Sequence, residues 1–113
     1  MKYTEKAIGN ITVIELKGDV LGGPDASVLT SRLRELVKEE KTGIVLDLRD
    51  VEYMNSSGLG MMTTALATVK KAGGALKLAN PAERIRSLLV ITKLVTLFDA
   101  YDSVDEAIAS FKN

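Results

Sequence analysis

Short apolar runs alternate along this chain with longer segments of helical periodicity, and this alternation limits the possible folds more than any other feature. The first two runs, residues 4–8 and 11–17, are separated by Gly9-Asn10, a pair that is typical of a β-hairpin turn. Three further strands are predicted at residues 44–46, which are apolar throughout, at residues 75–79 and at residues 97–101.

Two longer segments between the strands have the spacing of amphipathic helices. Residues 25–40 place apolar side chains at helical intervals, with charged residues on the opposite face. Residues 57–71 carry a similar apolar stripe, and Gly73-Gly74 follows where a helix commonly ends. Both segments are therefore predicted to be helices that pack on a sheet.

Helix-capping residues predict two more helices towards the end of the chain. Asn80 and Pro81 suit the N-cap and first position of a third helix. The segment from Ser103 to Glu106 matches a capping box and predicts a final helix to about residue 111.

The predicted order of elements is β-β-α-β-α-β-α-β-α. Alternating strands and helices favour an α/β fold with a mostly parallel sheet covered by helices, to which the hairpin adds an antiparallel pair. We therefore predict one domain over residues 1–113, with a mixed sheet of four to five strands and about four helices. A chain of 113 residues is long enough for one compact core.

The composition removes several kinds of chemistry. The sequence has no cysteine and no histidine, so it offers no thiol nucleophile, no imidazole base and no cysteine or histidine metal ligand. The 15 lysine and arginine residues balance the 15 aspartate and glutamate residues, which disfavours a nucleic-acid partner. We expect no cofactor and no resident metal.

The distribution of apolar residues bears on the location of the protein. The first residues are polar and lack the apolar core of a signal peptide. The longest uncharged stretch, residues 53–69, contains three threonines and two glycines and does not have the composition of a membrane span. We expect a cytoplasmic protein that does not insert into a membrane.

The segment between the central strand and the second helix is the strongest candidate for a functional site. Asn55, Ser56 and Ser57 can each cap a helix, although one cap is enough. Gly58 and Gly60 then fall in the first turns of the helix, where each costs up to ~1 kcal/mol relative to alanine. Such conflicts with local stability tend to mark functional sites. The alternative is an over-supplied cap with glycines that allow close packing of helix and strand.

Two other chemical interpretations of this region are weaker. The glycines match neither a dinucleotide fingerprint nor a P-loop, which requires a lysine. The carboxylates Asp47, Asp50 and Glu52 suggest acid–base or Mg²⁺ chemistry, but nothing nearby supplies a nucleophile with an adjacent base. A solvated acidic loop is the preferred interpretation.

Residues 51–60 resemble the signature of the STAS domain of bacterial anti-sigma-factor antagonists. That signature reads apolar residue, Asp, Ser, Ser or Thr, Gly, Leu, Gly, and here it covers Asn55-Ser56-Ser57-Gly58-Leu59-Gly60. The resemblance extends over nearly the whole chain and includes Gly18-Asp19-Val20 after the hairpin. It implies the α/β fold already predicted and a protein–protein switch without catalysis.

The resemblance also implies a cycle of partners and a set of site residues. An unmodified antagonist binds an anti-sigma factor that is also a serine kinase; phosphorylation of the first serine, here Ser56, ends binding, and a phosphatase resets it. The phospho-loop and partner-binding residues would be Asn55, Ser57, Gly58, Leu59, Gly60, Met61, Gly18 and Asp19. STAS domains also serve as scaffolds of stress-sensing assemblies and as soluble parts of membrane transport complexes, which is the alternative function.

Three expectations about individual side chains follow from these patterns. Asn55 stands where the family usually has Asp, so it keeps hydrogen-bonding capacity and loses the charge. We predict that Ser57 caps the second helix and leaves Ser56 free to accept phosphate. Met62 shares the inner stripe of that helix and is predicted to be core, whereas Met61 lies off the stripe and is predicted to face a partner.

Overall fold

A computed structural model describes residues 2–112 of the chain. That part of the chain contains five strands and four α-helices. It also contains two single turns of 3-10 helix, Leu94–Thr96 and Ser110–Lys112. The strands are β1 (Lys2–Ile8), β2 (Ile11–Lys17), β3 (Gly43–Asp50), β4 (Ala75–Ala79) and β5 (Ala100–Tyr101). The helices are α1 (Pro24–Lys38), α2 (Ser56–Lys71), α3 (Glu83–Ile91) and α4 (Val104–Ala109).

The five strands form one mixed sheet in the order β1-β2-β3-β4-β5. β1 and β2 pair antiparallel as the predicted hairpin, and each later pair is parallel. Parallel neighbours need a crossover connection, and the helices α1, α2 and α3 supply those connections. The predicted α/β class and mixed, mostly parallel sheet are confirmed.

Helices cover both faces of the sheet, and this explains why its central strands are almost continuously apolar. On one face, side chains of the three long helices pack against Ile14, Leu46 and Leu78. On the other face, α4 packs against Val13 and Val45. Because all parallel strands end at the same edge, the loops that follow β2 and β3 meet there.

The start of the third helix differs from the prediction. α3 begins at Glu83 with Ala82 as its N-cap, and no side chain caps it. Asn80 has a φ of 54°, and its Nδ2 donates a hydrogen bond at 2.9 Å to Oδ1 of the buried Asp47. The buried carboxylate needs that donor, so the Asn80 side chain is turned towards β3 and away from the helix.

The last strand is shorter than predicted, and the last helix matches its capping signal. Residues 94–96 form a turn of 3-10 helix and Phe98 is buried, which leaves only Ala100–Tyr101 paired with β4. Ser103 caps α4 by accepting a hydrogen bond at 3.0 Å from the Glu106 N–H, as predicted.

An ion pair between β1 and α1 gives the domain a predicted pH dependence. Arg32 donates from Nε and Nη2 to the two carboxylate oxygens of Glu5, at 2.8 and 2.7 Å. These hydrogen bonds hold the pKa of Glu5 below its usual 4.5. Because the pKa of Glu5 is lower in the folded than in the unfolded protein, the ion pair stabilises the fold at pH values above the unfolded-state pKa. That stability is lost as the pH falls through the folded-state pKa.

We therefore expect the wild type to be about 1 kcal/mol more stable to unfolding than Glu5→Gln at pH 7, since solvent screens this partly exposed pair. The difference should shrink below pH 4.5 and vanish below the folded pKa. Urea denaturation of both proteins across a pH series measures it. A difference that does not change with pH would contradict the assignment.

Candidate functional site

Two loops at the carboxyl edge of the sheet are joined by backbone hydrogen bonds. The N–H of Val20, after β2, donates to the carbonyl of Tyr53, after β3, at 2.9 Å, and the N–H of Asn55 donates to the carbonyl of Val20 at 3.3 Å. Val20 also forms an isolated parallel bridge with Met54, and both side chains are buried. The loop from Gly18 onwards therefore lies beside the loop that leads into α2.

Asn55 is the residue that caps α2. Its backbone is extended, with φ −97° and ψ −177°, and its Oδ1 accepts a hydrogen bond from the Gly58 N–H at 2.7 Å. The Asn55 carbonyl accepts from the Leu59 N–H at 2.9 Å. The prediction that Ser57 is the cap is wrong: Ser57 is the second residue of α2, and the capping position lies two residues before it.

Ser56 occupies the first position of α2 and is exposed. Among residues 2–112, no side-chain hydrogen bond engages its hydroxyl. Because Asn55 satisfies the Gly58 N–H, the cap of α2 does not depend on Ser56. The hydroxyl is therefore available to solvent, whereas the N–H groups of Ser56 and Ser57 remain at the positive end of the helix.

Close packing explains Gly58 and Gly22. A Cβ added to Gly58 would lie 2.0 Å from the Val20 carbonyl oxygen, and one added to Gly22 would lie 2.7 Å from the Ser57 Cβ. Gly22 also has a φ of 78°, which favours glycine. These two glycines let the loop after β2 lie directly on the start of α2. Packing does not explain Gly60, because an added Cβ there would meet no atom within 4 Å.

Two predicted partner-binding side chains are buried instead. Met61 is 3% exposed and Leu59 is 7% exposed, and both belong to the core. α2 packs against α1 as well as β4, so it buries more of its circumference than the single stripe through Met62. The prediction that Met61 faces a partner is therefore wrong, and the prediction that Met62 is core is confirmed.

The exposed part of the site includes two apolar side chains that the sequence patterns did not single out. Leu21 and Tyr53 are 46% and 47% exposed, on the two joined loops. Gly18, Asp19 and Gly60 are also exposed at this edge. A useful signal was present in the sequence, since Leu21 precedes two glycines and has no place in a helical or strand pattern.

Two of the acidic residues near the site, Asp47 and Asp50, are engaged in separate contacts. Asp47 is buried and accepts hydrogen bonds from Asn80 Nδ2 and from the Arg49 N–H, while Asp50 pairs with Lys17 at 3.2 Å. Among residues 2–112, no group of three or more Asp or Glu side chains is placed to hold a metal ion. A groove of about 930 Å³ lies at the opposite edge of the sheet and is lined by Gly9, Gly43 and neighbouring residues.

Replacing Asn55 tests the cap. We expect Asn55→Ala to lower the free energy of unfolding by about 1 kcal/mol, because the Gly58 N–H loses its acceptor. Asn55→Asp is the matched control: aspartate caps as well as asparagine does, and its charge is favourable at this end of the helix. Chemical denaturation of the three proteins measures the effect. Equal stabilities of the alanine and aspartate variants would contradict the assigned role.

The mixed sheet and the helices on both faces define a small α/β domain, and it exposes a serine at the start of α2. A family model described as the STAS domain matches residues 3–107, and the chain belongs to that family. None of the helices in residues 2–112 combines the length and the hydropathy of a membrane-spanning segment.

Relatives and solved structures agree with this assignment. The anti-sigma-B factor antagonist of Bacillus subtilis (strain 168) is 42% identical over 74 residues, which are 66% of this chain and 67% of that protein. A crystal structure of a Thermotoga maritima protein has a TM-score of 0.88 at 21% identity and covers 98% of this chain and 95% of that one. Bacillus SpoIIAA in its phosphorylated form has a TM-score of 0.74 at 18% identity, over 97% and 99% of the two chains. The structural likenesses show the shared fold.

Proposed function

We propose that this protein is an anti-sigma factor antagonist that is controlled by phosphorylation of Ser56. It acts in the cytoplasm without a cofactor. The unmodified protein binds an anti-sigma factor that is also a serine kinase, phosphorylation of Ser56 by that kinase ends binding, and a phosphatase restores the unmodified state. The observation that carries this proposal is the exposed Ser56 hydroxyl, which takes no part in capping α2.

The position of Ser56 suits a switch that leaves the fold intact. Phosphate adds about 1.5–2 negative charges at neutral pH. At the start of a helix, the free N–H groups and the helix dipole favour an anion by about 0.3–1 kcal/mol when the site is exposed. Phosphorylation is therefore expected to act on the partner contact, through charge and bulk, and to leave the domain folded.

The neutral Asn55 departs from the family pattern and leaves room for the scaffold or transport function, although it keeps the cap. An amide caps α2 as well as a carboxylate does, so asparagine in place of the family's usual aspartate preserves the geometry of the cap. It also removes one negative charge beside a phosphorylated Ser56. A kinase or phosphatase would then recognise the site without a carboxylate at this position.

The side chains around Ser56 support a binding role and not a catalytic one. The sequence contains no histidine or cysteine, and Asp47 is held by Asn80 within the core. A hydroxyl without an adjacent base is an acceptor of phosphate and not a nucleophilic catalyst.

Two measurements on one preparation test the proposal. The protein is purified from its native host, and the tryptic peptide of residues 50–70 is analysed for phosphate by mass spectrometry. Phosphate on Ser56 that is lost under stress, together with binding of the unmodified form to an anti-sigma factor/serine kinase of that host, is the expected result. Absence of phosphate under every growth condition, with stable co-purification of a transporter or stress-complex subunit, would favour the scaffold or transport function instead.

A further inference from the structure

The groove at the amino edge of the sheet is separate from the loops around Ser56. Three of the residues that line it, Ile11, Gly43 and Ala75, are the first residues of neighbouring parallel strands and are in register with one another. The hairpin turn, the loops that precede β3 and β4, and the segment from α4 onwards supply the rest of the lining. Its volume of about 930 Å³ is that of a small-molecule site, for which about 300–1,000 Å³ is typical.

Thr12 is the residue of this groove that the fold does not explain. It is 5% exposed, and its neighbours in β2, Ile11, Val13 and Ile14, are buried and apolar. Among residues 2–112, no hydrogen bond engages the Thr12 hydroxyl, and every fully enclosed side-chain nitrogen or oxygen atom has a partner. Oγ1 of Thr12 is therefore not fully enclosed, and the groove that Thr12 lines is where it is accessible. Valine has the same shape and would avoid the cost of burying a hydroxyl without a partner.

We propose that this groove binds an uncharged, amphipathic small molecule, whose hydroxyl, carbonyl or amide group forms a hydrogen bond with Oγ1 of Thr12. A threonine hydroxyl can both donate and accept, so it suits each of these groups. The apolar body of the ligand would lie against Ile8, Ile108 and Phe111, which also line the groove. Ile8 is 41% exposed, and covering it would remove apolar surface from water. The inference goes beyond the proposed function and does not depend on it.

The positions of the charged residues limit the class of ligand. Among the described residues that line the groove, Glu40 is the one anion and Lys41 the one cation, so the lining has no net charge. Both are exposed, and Lys41 forms an ion pair with Glu39 at 3.1 Å. The buried part of the lining, around Thr12, contains no charged side chain. A carboxylate, phosphate or ammonium group beside Thr12 would lose water without gaining a counter-ion, whereas an uncharged polar group would not meet that cost.

The test titrates the full chain at pH 7 with three probes that share one alkyl chain: 1-hexanol, hexanoate and hexylammonium. In ¹H–¹⁵N NMR spectra, 1-hexanol is expected to give saturable shifts of the Thr12, Gly43 and Ala75 amide signals, and both charged probes are expected to bind at least threefold more weakly. Thr12→Val should weaken 1-hexanol binding about fivefold, which corresponds to one neutral hydrogen bond, and should leave the Tm unchanged or raised. Thr64→Val, at an exposed position of α2, is the matched control and should leave the affinity unchanged.

Each part of the inference can fail separately. No saturable shift at the groove residues would overturn the site, and equal or tighter binding of hexanoate or hexylammonium would overturn the uncharged class. An unchanged affinity of Thr12→Val for 1-hexanol, or a lowered Tm, would show that the hydroxyl serves the fold and not a ligand. None of these results bears on phosphorylation of Ser56, which lies at the other edge of the sheet, so a failure here leaves the proposed function as it stands.

Discussion

Ser56→Asp is expected to bind the anti-sigma factor/serine kinase at least 100-fold more weakly than the wild type, with an unchanged or slightly raised Tm. Ser56 is exposed at the first position of α2, where a negative charge favours the helix. In the complex, the same charge would lie at the partner contact, where the neighbouring residues 53–69 supply no side chain of opposite charge. A 100-fold loss corresponds to about 2.8 kcal/mol. Calorimetric titration and thermal denaturation measure the two quantities.

Two control variants distinguish a local effect from a general one. Ser56→Ala removes the phosphate acceptor without adding charge, and it should bind like the unmodified protein. Ser87→Asp adds the same charge at an exposed position of α3 and should leave affinity unchanged. An affinity of Ser56→Asp within threefold of the wild type would show that charge at this position does not control binding.

Gly58→Ala is expected to destabilise the domain by about 3 kcal/mol. The new Cβ would lie 2.0 Å from the Val20 carbonyl oxygen and 3.0 Å from the Met54 Cγ. Backbone atoms cannot move as easily as the end of a side chain, so the whole loop after β2 must shift. Overpacking of a filled site costs about 1–3 kcal/mol or more. Here the shift also strains the hydrogen bonds that join Val20 to Tyr53 and Asn55.

Gly60→Ala is the control for this prediction, since both substitutions gain the same helix propensity of about 1 kcal/mol. Only Gly58 faces another part of the chain. Urea denaturation with linear extrapolation gives both free energies of unfolding. Similar free energies of unfolding for the two variants would mean that the loop after β2 shifts without loss of stability. Close packing would then not explain Gly58.

Local patterns in the sequence predicted the elements whose stability depends on neighbours in the chain. The hairpin around Gly9-Asn10 and the cap at Ser103 are present in the structure. Asn80 carried an equally good local signal and was predicted wrongly. Its side chain instead satisfies the buried carboxylate of Asp47, which is 33 residues away in the chain. A local propensity decides the structure only where no distant group competes for the same atoms.

The segment 55–57 likewise shows what local sequence predicts and what the tertiary structure decides. The residues of the motif indicated the candidate site, and Ser57 was predicted, wrongly, to cap α2. The motif did not decide which side chain does so, because Asn55, Ser56 and Ser57 are each suitable and a shift of one residue changes the assignment. Periodicity likewise placed Met62 in the core but failed for Met61, because α2 contacts two other elements.

The order of strands and helices, the absence of cysteine and histidine chemistry and the position of the serine motif follow from the sequence alone. They depend on composition and on periodicities of two and 3.6 residues, which a chain displays before it folds. The tertiary structure decided which residue caps α2, which glycine is needed for packing and which apolar side chains remain exposed. Each of these depends on how closely the loop after β2 approaches the loop after β3. Local sequence patterns do not predict that distance, because the two loops are far apart in the chain.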